Sequence, residues 1–257
     1  MPFDATIFPL AAAALSMLAG VVLSWDSASA WQLQAQKAPS GSPAESEAKT
    51  HQLVAAISAA VCLTATIAYA YMIRTRKTLS DPDEIRNATR DTRHVDWLIT
   101  LPLLAAELRL YVILPSRFDG QQHVASLLLA MLFAGLTVYC GHNLPPLGLY
   151  SGVGTQTRRT YARWFAAGCV SMFACFWCML LWPVGSATVQ NVANDRSNNT
   201  AAIGFASLWI IYPALQYALD TNRFDSNKNW DEISFALLDV AAKVGPALYG
   251  SLYATAH

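Results

Sequence analysis

The sequence predicts an all-α membrane protein, a bundle of seven transmembrane helices, on three observations. Of 257 residues, 54% are hydrophobic and only 13% charged, too apolar for an ordinary soluble domain. Seven stretches approach or exceed the roughly 20 apolar residues needed to cross the hydrocarbon core. They nearly exhaust the chain, so residues 1–257 read as a single seven-helix domain with no soluble part.

The first span covers about 5–25. "SASA" before Trp31 resembles a signal cleavage site, but Asp4 stands where a positively charged n-region belongs and the apolar run is long, so the span is expected to be retained. After it, residues 26–50, rich in Ser, Ala, Pro and Gln, read as a flexible or partly ordered loop. The second span, 52–73, carries no charge, and a polar segment, 74–93, follows it.

The third span, 95–115, is the first to carry internal charges, Asp96 and Glu107. Ionisable groups inside a span are expensive and mark function by default. Arg109 reads as a side chain that snorkels towards the interface. Arg93 and Asp96 are three apart, Asp96 and Thr100 four apart. Asp96 and Glu107 share a face about three turns apart, roughly 16 Å along the axis.

The fourth span (123–141), fifth (161–183) and sixth (201–219) are uncharged at their centres. All five cysteines lie within spans. "CFWC" at 175–178 has a redox-motif spacing, but without a strand–turn–helix context it reads as buried, unreactive thiols. No Cys/His set has metal-site spacing, and no metal or nucleic acid is expected. The seventh span, 233–255, holds Asp239 and, four residues on, Lys243. Residues four apart project the same way. One reading is a structural ion pair. The other places a carboxylate, a nitrogen and a second carboxyl in series, which is the layout of a proton relay, not of an enzyme.

These residues together resemble those of the microbial rhodopsins, with an Asp–Thr–Glu triplet like that of the proteorhodopsin-type proton pumps. "LDVAAKVG" is similar to the seventh-helix motif in which a lysine binds all-trans retinal as a protonated Schiff base, giving Lys243, with Asp239 in its counterion. The third-helix pattern matches Arg93, Asp96, Trp97, Thr100 and Glu107. "LWIIYP" supplies the pocket residues Trp209, Tyr212 and Pro213, and "GCVSM" suggests Gly168 and Met172. Leu104 and Thr137 stand at colour-tuning positions; an apolar Leu104 is similar to the green-absorbing forms.

The resemblance implies a light-driven proton pump of the plasma or cell membrane. In it Asp96 is the acceptor, hydrogen-bonded by Thr100, and Glu107, poorly solvated among Leu103, Leu104, Ala106 and Leu110, is the donor. Arg93 and Asp239 hold the counterion region together, and Asp231 and Glu232 are candidates for proton release. Its partners are protons, the lipid bilayer and further copies of the chain, as a trimer or pentamer. The alternatives are a sensory photoreceptor signalling to a partner, a light-gated channel, or an inward pump in inverted insertion. The last stays open because the family's orientation, N-terminus outside, puts Arg74, Arg76, Lys77, Arg86, Arg90, Arg93 and others outside, the reverse of the positive-inside rule. Two positions depart from the pattern. Ala70 takes the place of a second-helix histidine, and Gln216 stands where bacteriorhodopsin has tryptophan. His94, adjacent to Arg93, points about 100° away from it and need not reach Asp96.

Overall fold

The computed structural model describes residues 6–113, 121–145, 155–181, 196–220 and 230–256. Seven α-helices run through them: α1 Ile7–Lys37, α2 Pro43–Thr78, α3 Pro82–Ile113, α4 Gln121–His142, α5 Thr155–Phe176, α6 Arg196–Asp220 and α7 Trp230–Ala256. A single π-helical turn, Trp177–Leu181, continues α5. Helices one to five pack against their sequence neighbours, α6 lies against α3 and α7, and α7 closes the ring against α1 and α2. The chain is a seven-helix, multi-pass integral membrane bundle.

The helices outrun their apolar windows. Residues 26–50 are not a loop: α1 continues to Lys37, and α2 begins at Pro43. The stop and restart are local. Gly41 takes φ +74°, a left-handed conformation that glycine adopts without steric cost. Ser42 Oγ accepts from the Glu45 amide at 3.2 Å, and the Glu45 carboxylate accepts from the Gly41 amide at 2.6 Å. That is a capping box with proline at the first helical position. Residues 74–93 are likewise almost wholly helical. At the start of α3, Asp81 Oδ1 accepts from the Asp83 amide at 3.0 Å. Hydropathy sees the part of a helix that meets lipid; the polar ends are fixed by caps instead. At 36 residues, α2 is about 54 Å long, far more than the hydrocarbon core of about 30 Å requires.

Large apolar side chains point outward, among them Phe8, Leu15, Trp25, Val170, Phe173 and Leu237. In water such a surface would be an aggregation site; in lipid it is the solvated face. The interior instead buries Arg93, Asp96, Glu107, Arg109, Asp239 and Lys243. Among the described residues, α1, α2, α4, most of α5 with its π turn, and α7 are long and apolar enough to span a membrane by composition. The charges inside α3 explain why it is not among them. Two close approaches set the spacing of the ring. A Cβ added at Gly20 would lie 2.7 Å from Cys62 Sγ, and one at Gly245 would lie 2.7 Å from Phe205 Cε1. Only glycine lets α1 meet α2, and α7 meet α6, at those distances.

Candidate functional site

Lys243 projects from α7 into the middle of the ring and is 1% exposed. Its ammonium forms an ion pair with Asp96 Oδ2 of α3, and lies 3.9 Å from Asp239 Oδ2 on its own helix. The two acids are held very differently. Asp239 accepts from three helices: Tyr69 Oη of α2 at 2.8 Å, Trp97 Nε1 of α3 at 3.0 Å and Tyr212 Oη of α6 at 2.5 Å. Asp96 has Lys243 on one oxygen, while its Oδ1 has no hydrogen-bond partner among the described residues. Asp239 is therefore fixed in position, and Asp96 is the acid with a free face.

Several expectations change here. Thr100 Oγ1 donates to the Asp96 backbone carbonyl at 2.9 Å, not to the carboxylate, as hydroxyls inside helices commonly do. Arg93 is not paired with Asp239. Its Nη2 reaches Glu232 Oε2 at 2.6 Å, and Arg76 Nη2 reaches Glu232 Oε1 at 3.2 Å. Glu232 stands two turns before Asp239 on α7 and intercepts both guanidinium groups. The Arg93 guanidinium also lies 4.7 Å over the Phe235 ring. The Asp231 side chain lies outside the described residues. His94 Nδ1 is 2.9 Å from the Arg90 carbonyl, and its ring meets His142 and Trp97, so it faces α4 and makes no contact with Asp96.

Beside this cluster a pocket opens between α3, α4, α5 and α6. Trp97, Thr137, Gly168, Met172, Trp209, Tyr212 and Pro213 all line it. Lys243 and Leu104 do not; Leu104 is buried in the core cluster with Trp209 and Met179. Gly168 keeps the wall thin, since a Cβ there would lie 3.3 Å from Cys140 Cβ. Gln216, in place of a tryptophan, is part of the lining.

About three turns from Asp96 along α3, Glu107 is fully buried. Ser58 Oγ of α2 donates to its Oε1, and Oε2 has no partner among the described residues. Arg109 does not snorkel. It is fully buried, with Nε donating to Ser126 Oγ at 3.0 Å and Nη1 to the Met179 carbonyl at 2.9 Å. The π turn frees backbone carbonyls from their ordinary helical partners, and Arg109 takes one. All five cysteines are free, and four are buried.

Sequence reasoning missed Tyr69 and Ser58. A signal for both existed: Ser58, Cys62, Ala65, Tyr69 and Met72 recur at helical spacing and form the inward face of α2. Ala70, read as the substitute for a histidine, points outward.

The fold agrees with that of known proteins. Opsin-1 of Neurospora crassa is 27% identical over 151 residues, which is 59% of this chain; the match spans about half (45%) of that protein's length. Xanthorhodopsin, a light-driven ion pump with dual chromophore, superposes with a TM-score of 0.64 at 17% identity, covering 96% of this chain and 94% of its own. The light-driven proton pump of Leptosphaeria maculans gives 0.61 at 16% identity, covering 99% and 96%. At such identities the solved structures establish the fold. The family model of bacteriorhodopsin-like proteins matches residues 41–256, and on that match this chain belongs to the bacteriorhodopsin-like family of microbial rhodopsins.

Proposed function

We propose that the chain is a light-driven proton pump in which Lys243 holds all-trans retinal, Asp96 accepts the proton and Glu107 returns one. The observation that carries this is the pairing of one buried amine with an under-bonded acid, Asp96, and a separately held second acid, Glu107, further along the same helix.

Members of the family bind retinal, and the residues present fit it. The pocket is concave and lined mainly by apolar and aromatic side chains, as small-molecule sites are. Its walls are aromatic rings and a glycine whose Cβ would crowd the space. Trp97 and Tyr212 line the cavity and also bond Asp239, so the slot adjoins the cluster around the amine. Lys243 supplies the attachment point; Trp97, Trp209, Tyr212, Pro213, Met172, Gly168 and Thr137 supply the walls. Bound retinal supplies a light-driven change of shape and a nitrogen that carries a proton.

The chain does the rest. Asp239, held in place by three donors, faces the nitrogen on Lys243. Asp96, with one oxygen free, takes the proton and can do so without breaking a bond from any other donor. Glu232, bridged by Arg93 and Arg76, lies on the route from Asp96 to one face of the membrane and is the release group. Glu107 gives its proton towards Lys243 from the opposite half. The solved neighbours described as light-driven pumps support this reading. Export follows if the N-terminus lies outside, import if insertion is inverted. The homo-oligomer, trimer or pentamer, rests on the same family resemblance.

Vesicles of known orientation test both activity and direction. Illumination with pH recording should give a light-dependent, uncoupler-sensitive change. A slow, pH-independent dark return with no proton movement would overturn the pump in favour of a sensor.

A further inference from the structure

Glu107 can give a proton only if it recovers one, and this inference rests on the reading of Glu107 as donor. A second, small cavity lies between α1, α2 and α7. Ser24, Ser27 and Trp31 of α1 line it, with His51 and Ser58 of α2 and Gly250 of α7. Ser58 thus has two neighbours, this cavity and the Glu107 carboxyl. Ser24 is 1% exposed, yet its hydroxyl has no hydrogen-bond partner among the described residues. A buried polar group without a protein partner is usually satisfied by water, and the space beside Ser24 is about enough for one molecule.

The far end of the cavity is a histidine. His51 is buried, stacked on the Trp31 indole at 4.2 Å, with Nε2 4.0 Å from Glu47 Oε1. Glu47 in turn is exposed. Glu47, His51 and Ser58 follow one another at four and seven residues, one face of α2, with about 10 Å of helix between His51 and Ser58. Against His51, α1 presents Ser24, Ser27 and Trp31, and α7 presents Ala247 and Gly250, all uncharged. Glu47 is the nearby acid.

We propose that His51 is the proton-entry residue for Glu107. Its imidazole takes a proton at one ring nitrogen from water at Glu47 and gives one up at the other. The proton passes by way of the Ser24 hydroxyl and a single water beside it to the Ser58 hydroxyl. Ser58 passes its own proton to the Glu107 carboxylate as it receives the new one. One proton leaves the aqueous phase, one arrives on Glu107, and His51 returns to its neutral form. Trp31 holds the ring plane and is a positioning residue.

The test uses the full chain loaded with retinal, with flash-induced proton uptake read by a pH dye in the parent, His51→Gln, His51→Ala and Glu107→Gln. Both His51 variants should slow uptake about tenfold with an unchanged dark absorption band. Free imidazole should restore His51→Ala but not Glu107→Gln. A second readout needs no light and no retinal: the infrared carboxyl band lost in Glu107→Gln should exchange more slowly in D2O when His51 is replaced. His51→Gln keeps a planar group against Trp31 and covers the case in which His51→Ala fails to fold. Parental uptake and exchange in both His51 variants, with Glu107→Gln slow, would overturn the relay and leave the donor standing. Parental uptake in Glu107→Gln as well would overturn the donor reading and the relay with it.

Discussion

The two halves of the bundle treat buried charge in opposite ways. Around Lys243 and towards the Glu232 end, three acids, Asp96, Asp239 and Glu232, face three bases, Lys243, Arg93 and Arg76, and each acid touches a base. Around Glu107 there is one acid with one serine, and a nearby arginine spends itself on a hydroxyl and a carbonyl. The first half is a neutral network whose members are held by several helices at once. Removing one partner of such a buried pair costs about 3–5 kcal/mol, so its geometry is stiff. The second half has no pair to break. An isolated buried carboxyl is far cheaper neutral than charged, which suits the donor role proposed for it. The difference separates a half of paired charges from a half with one lone acid.

The largest expected effect breaks the link between the halves. Lys243→Ala removes the attachment point, so no visible band should form with all-trans retinal; a normal absorption band would refute the assignment. Next, Asp96→Asn takes the mobile member out of the network while Asp239 keeps its three donors. Absorption should shift to the red and light-driven proton release should cease, read by spectrophotometry and pH recording. An unshifted colour with intact pumping would remove Asp96 from its role.

Glu107→Gln attacks the other half alone. Recovery of the dark absorption band after a flash should slow about 100-fold and become pH-dependent, with the dark colour unaltered and partial rescue by azide. Recovery at the parental rate would mean that the second half holds no donor. A smaller effect sharpens the first half. Tyr69→Phe removes one of three donors to Asp239 and should cost about 1 kcal/mol, lowering the thermal midpoint by about 2–4 °C. An unchanged midpoint would show that Trp97 and Tyr212 suffice. The smallest change is in colour: Leu104→Gln should move the maximum towards the blue without altering proton uptake. A constant maximum would place tuning elsewhere, Thr137 being the next position to test.

What was legible in the sequence follows the same division. Lys243, Asp239, Asp96 and Glu107 announced themselves because a charge inside an apolar run has no cheap explanation. The seven spans were visible for the same reason. The partners of those charges were not. Tyr69 and Ser58 are polar residues ordinary in any helix, and only the inward face of α2 makes them significant. The partner of Arg93, Glu232, was not legible, since spacing along α3 says nothing about which residue of α7 comes within reach. Arg109 looked like a snorkelling end residue because the carbonyl it bonds exists only where α5 turns into a π-helical segment. Helix ends were misjudged where polar caps, such as Ser42 with Glu45, prolong a helix past the lipid.

The seam between α6 and α7 has a mechanical consequence. Phe205 rests on Gly245, two residues beyond Lys243, at a separation no larger side chain would permit. Two residues are about 3 Å of helix, so a displacement that starts at the lysine meets this seat almost at once. The ring sits in a notch, so any shift of α6 along α7 at this level has to carry the phenyl past the Gly245 backbone. A side chain at position 245 would fill that notch and force the phenyl to move.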